Sequence, residues 1–81
     1  MQDEEIVGRI TRLVEEEHAL RSAVEGARPI DEETRVRLEG VEVQLDQCWD
    51  LLRQRRARRE FAEDPDVADV RDPDVVEGYE Q

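Results

Sequence analysis

The sequence predicts an all-α chain: an antiparallel two-helix hairpin, expected to pair with a second copy into a four-helix bundle, followed by an acidic C-terminal tail. Three observations carry this. Apolar residues recur at alternating steps of three and four through two long segments, the period of helices packing on helices. A Gly and a Pro interrupt that period once, near position 28. Composition agrees, since 43% of the 81 residues are charged and only 4% aromatic, a balance that suits long helices better than a compact mixed domain.

The first helix is expected over about residues 4–25. Asp3 can cap free N–H groups, and Glu4 and Glu5 then lie favourably against the positive end of the helix dipole. Ile6, Ile10, Leu13, Leu20 and Val24 form the stripe, with Val7 and Val14 widening it. Gly8 weakens this helix by about 1 kcal/mol relative to Ala. Glu17 falls at the stripe's centre, where a carboxylate is costly unless paired. Arg21, one turn on, is its natural partner. Glu17 and Arg21 are accordingly assigned to helix-pairing specificity, as single polar core residues can set register.

Gly26 is expected to end this helix in a left-handed C′ conformation, and Pro29 to forbid its continuation. Asp31 then caps a second helix over about residues 32–61, with Glu32 and Glu33 in its first turn. Leu38, Val41, Leu45, Cys48 and Leu52 repeat at three and four, and Trp49 broadens the face. The expected core is thus Ile6, Ile10, Leu13, Leu20, Leu38, Val41, Leu45, Cys48, Trp49 and Leu52. A connection this short makes the helices antiparallel neighbours. Ile6 then faces Leu52, and Arg55, Arg56 and Arg59 point toward Asp3, Glu4 and Glu5.

Residues 1–62 form the hairpin in this reading and 63–81 the tail. All twelve basic residues are Arg, and the net charge of −11 is uneven: residues 60–81 carry nine acids and one Arg. Asp64-Pro65-Asp66-Val67 recurs as Asp72-Pro73-Asp74-Val75. Asp before Pro is a good cap followed by Pro at the first helical position, so each unit can start a helical turn. Val67 with Val70, and Val75 and Val76 with Tyr79, would give small apolar faces; either the tail docks back on the hairpin through them, the favoured reading, or it is disordered with two sticky spots.

Three runs carry a resemblance to a known family: Leu13-Val14-Glu15-Glu16-Glu17-His18; Leu45-Asp46-Gln47-Cys48-Trp49-Asp50-Leu51-Leu52-Arg53-Gln54-Arg55-Arg56-Ala57; and Val75-Val76-Glu77-Gly78-Tyr79. The chain resembles, over nearly its whole length, the small actinobacterial proteins grouped as domain of unknown function family 2630. The resemblance implies an actinobacterial source and a short helical protein. It implies no activity and transfers no site residues.

No catalytic, metal or cofactor signature is found, and no cofactor is expected. Glu15 and His18 make an E-x-x-H pair, but Glu15 lies about 160° from the centre of the stripe at about 100° per residue, so both read as surface. Cys48 reads as a small buried hydrophobe. With one His, one Cys and no phosphate-binding loop, a non-enzyme is expected. The acidic start, Met1-Gln2-Asp3-Glu4-Glu5, is unlike a basic signal-peptide n-region, and no stretch has the length of a membrane span, so a cytoplasmic location is expected. Arg53, Arg55, Arg56, Arg58 and Arg59 are candidate contacts for an anion or a partner. The leading expectation is a protein–protein interaction module, a homodimer with a further protein partner reached through the tail or bundle face. The alternative is a nucleic-acid-binding protein that uses the Arg53–Arg59 cluster with the acidic tail as competitor, a reading disfavoured because these arginines point all round the helix.

Overall fold

The computed structural model describes residues 2–26 and 31–80, with side chains through Val76. Helix α1 spans Asp3–Gly26 and α2 spans Glu32–Glu60; a single 3-10 turn at Pro65–Val67 and a short helix α3, Pro73–Glu80, follow. There is no strand among the described residues. The two long helices pack along each other, and the 3-10 turn and α3 both pack on α2. The result is an elongated body of 52 × 25 × 16 Å.

Helix α1 begins without Asp3 as its cap. The Gln2 carbonyl accepts from the Glu5 and Ile6 N–H groups, and the Glu5 carboxylate accepts from the Gln2 N–H at 3.2 Å. That leaves Asp3 free to reach across to α2. Gly26 is a second departure. It is the last residue of α1 and has no positive φ; the connection that follows, Pro29 included, lies outside the described residues. Asp31 caps α2, accepting from the Glu33 N–H at 3.1 Å and the Thr34 hydroxyl at 2.9 Å.

The core between α1 and α2 is Ile6, Ile10, Leu13, Val41, Leu45, Cys48 and Leu51, with Leu20, Leu52 and Ala68 packed against it, and Leu38 is buried nearer the loop. Trp49 is not in it. The register that buries Leu45 and Cys48 turns Trp49 outward, leaving it 48% exposed. Cross-helix ion pairs run along the hairpin: Arg37 to Glu16 at 3.1 Å and Arg21 to Glu42 at 2.8 Å toward the loop, Arg59 to Asp3 at 2.8 Å at the open end.

After α2 the chain reverses at Ala62, whose φ is 57°. The Ala62 N–H donates to the Arg59 carbonyl and the Glu63 N–H to the Arg58 carbonyl, a Schellman ending in which the left-handed position is usually Gly. Both Asp-Pro units start helical turns. Asp64 accepts from the Asp66 N–H at 2.9 Å and Asp72 from the Asp74 N–H at 3.0 Å. Their expected apolar faces are only partly used. Val67, Val70 and Val75 are exposed whereas Val76 is fully buried; the side chain of Tyr79 lies outside the described residues.

Candidate interaction surface

Helix α2 meets α1 on one side and the tail on another, so its remaining side is what the molecule presents. The tail side is polar. Asp50 is fully buried and takes a two-point contact from Arg71, Nε to Oδ2 at 2.9 Å and Nη2 to Oδ1 at 2.5 Å. Gln54 donates to Asp50 at 3.0 Å and to the Asp69 carbonyl at 2.6 Å, and Gln47 donates to the Arg71 carbonyl at 3.3 Å. Hydrogen bonds from Arg71 hold the Asp50 carboxyl below its ordinary value; burial opposes this and Gln54 assists. A small cavity of about 40 Å³, lined by Cys48, Leu51 and Val70 among others, marks where the tail lies over the edge of the core. Burial pushes the Cys48 thiol up, as befits a structural cysteine.

The arginine cluster is largely consumed inside the molecule. Arg55 is 3% exposed; its Nε donates to Asp3 at 2.5 Å, and its Nη1 donates to the Pro65 carbonyl at 3.1 Å and to Asp66 at 3.0 Å. Asp3, held by Arg59 and then Arg55, is likewise shifted down. Arg56 pairs with Glu60 at 3.5 Å and Arg58 with Glu63 at 3.3 Å. Arg53 makes no salt bridge among the described residues, although its field helps lower Asp50.

Glu17 lies on the rim of the hairpin, its side chain 27% exposed and 3.6 Å from Arg21, which reaches on to Glu42. Glu15 and His18 are exposed. Beside Glu17 the open side of α2 begins: Val14, Leu45 and Trp49 line a shallow groove with Glu17, Arg21, Glu42 and Asp46. Val14 and Trp49 are about half exposed, as is Val7 two turns along the same edge of α1.

Sequence reasoning placed Trp49 inside and did not find Asp50, Leu51, Gln47 and Gln54 as a tail-binding face. Their spacing, 47–51–54 with 50 alongside, is a second helical stripe. The lone Arg71 within an acidic tail was the sign that something acidic awaits it.

No solved structure matches the chain. An uncharacterised protein of Mycobacterium bovis and one of Mycobacterium tuberculosis are each 48% identical over 77 residues, covering 95% of this chain and 88% of theirs. No helix among the described residues is long and apolar enough to cross a membrane. Residues 2–81 match, from end to end, a family described as "Protein of unknown function (DUF2630)", and the chain belongs to that family.

Proposed function

We propose that this protein is a non-enzymatic helical protein–protein interaction module that works through the open side of α2. One observation carries the reading: a half-exposed Trp49 lines a shallow groove with Val14, on a side of α2 away from the tail residues described, and Val7 is half exposed two turns along the same edge of α1. Exposed aromatic residues set among apolar neighbours are the usual anchors of protein interfaces. The polyanion reading has less support, because four of the five clustered arginines already hold carboxylates.

A photo-crosslinking amino acid in place of Trp49, in chain expressed in a mycobacterium, tests this. Val36, exposed on another side of α2, is the control site. Adducts from position 49 and none from position 36 are expected. Equal yields at the two sites, or none at either, would remove the reading.

A further inference from the structure

The open side of α2 carries an ordered set of charges. Glu42, Asp46, Trp49, Arg53 and Arg56 follow at steps of four, three, four and three. At about 100° per residue, all lie within about 60° of Trp49 around the helix. Two acids therefore precede the tryptophan and two arginines follow it. Along the axis Asp46 stands about 4.5 Å on one side of Trp49 and Arg53 about 6 Å on the other, while Glu42 and Arg56 are each about 10.5 Å away at 1.5 Å per residue. Asp46 and Arg53, one turn either side, make no salt bridge among the described residues.

From this pattern the geometry points to a second copy of the chain as the occupant, with the two α2 helices antiparallel and crossing at Trp49. A two-fold axis through that point sets Asp46 opposite the partner copy's equivalent of Arg53, and Glu42 opposite its equivalent of Arg56. Each charge meets its opposite twice over, as a self-complementary interface requires. A parallel pairing would stack acid on acid and arginine on arginine. The apolar centre is Trp49 against its own copy, flanked by Val7 and Val14 of each α1. This inference rests on the interaction-module reading and narrows it to one partner and one orientation.

Charge reversal across the axis tests it on the full-length chain. Sedimentation equilibrium over about 10 to 500 micromolar should give a reversible dimer, since a face of this size supports modest affinity. Asp46→Arg and Arg53→Glu, each introducing two like-charge contacts per dimer, should each weaken association by about tenfold or more. The double variant should return to within about threefold of the parent. Trp49→Ala should abolish the dimer, and circular dichroism of every variant should show unchanged helicity, since Asp46 and Arg53 make no salt bridge among the described residues and Trp49 is half exposed. A monomer throughout that range, single reversals without effect, or a double variant that fails to recover would overturn the proposal. A monomer that still gives Trp49 adducts with a different protein would sink the second copy and leave the module; a monomer without adducts would sink both.

Discussion

Asp50 is the residue whose environment says most about how the tail is held. A buried carboxylate is tolerated only when its oxygens are satisfied, and both are, by Arg71 and Gln54. Asp50→Asn keeps the shape but discards the charge. It should weaken the pair by about 2 kcal/mol, below the value for a fully buried pair because Arg71 still reaches water. The tail should then detach while the hairpin persists: limited proteolysis cuts 63–81 sooner, and Cys48, beneath Val70, reacts faster with iodoacetamide. Unchanged rates for both would mean that apolar contact alone holds the tail. The same pair predicts a pH dependence. The folded carboxyls of Asp50 and Asp3 titrate below their ordinary value near 3.8. Their contribution is therefore complete above that value and is lost as pH falls through the lower folded values. Urea midpoints should hold steady down to about pH 5 and drop below about 4, less steeply in the Asp50→Asn variant. Ala62 offers the converse case. Its left-handed φ penalises an L side chain, so Ala62→Gly should gain about 0.5–1 kcal/mol, read as a raised urea midpoint; a lower midpoint would show that the side chain has a contact worth more than the strain.

Glu17 shows what one position does to a helix pair. On α1 it interrupts an otherwise regular stripe, yet it lies at the rim with Arg21 at 3.6 Å. A leucine there would lie against Val14, Leu45 and Trp49, and Arg21 would keep its 2.8 Å contact with Glu42. Glu17→Leu should therefore add about 1 kcal/mol and raise the melting temperature by about 4–8 °C. A fall of several degrees would mean that the Glu17 carboxylate is needed to position Arg21. The long helices were legible for a simple reason: periodicity reports burial against a single neighbour, and among the described elements α1 packs on α2 alone. Helix α2 has two neighbours, and there the rule fails. Asp50 is held by Arg71 of the tail, and the docking depends on hydrogen bonds from Gln47 and Gln54 to tail carbonyls that no apolar period announces. Trp49 was misplaced by its chemistry, since a large aromatic reads as core, whereas the register set by Leu45, Cys48 and Leu52 turns it out. The Asp-Pro starts of the tail were readable because cap chemistry is local. The role of Arg55 as a buried tie between α1, α2 and the tail was not, because it joins residues 52 and 11 positions apart.

At the scale of the whole molecule the charge imbalance becomes a mechanical fact: the acidic tail is bound to the arginine-bearing end of α2. Asp66 and the Pro65 carbonyl hold Arg55, and Arg71 holds Asp50. Residues 64–81 carry −6 of the net −11, so a chain ending at Glu63 stays acidic. In that shorter chain Arg55 and Arg59 keep Asp3, Arg56 keeps Glu60 and Arg58 keeps Glu63. Arg53 makes no salt bridge to the described part of the tail, so truncation frees it from none there. The truncated chain should therefore fail to bind a labelled RNA hairpin by fluorescence anisotropy, even at about 50 mM salt where phosphate contacts are strongest. It should also be less stable by about 3 kcal/mol. Ala68 no longer packs against the core and the buried Val76 is lost, and burying a valine side chain alone contributes about 1.5 kcal/mol or more. Cys48 should label faster than in the full-length chain, since Val70 no longer lines the small cavity beside it. Firm RNA binding at about 50 mM that vanishes near about 200 mM would carry the steep salt dependence of phosphate contacts. It would make the arginine segment a polyanion site that the tail competes for, and the open face around Trp49 would lose its place as the site of function.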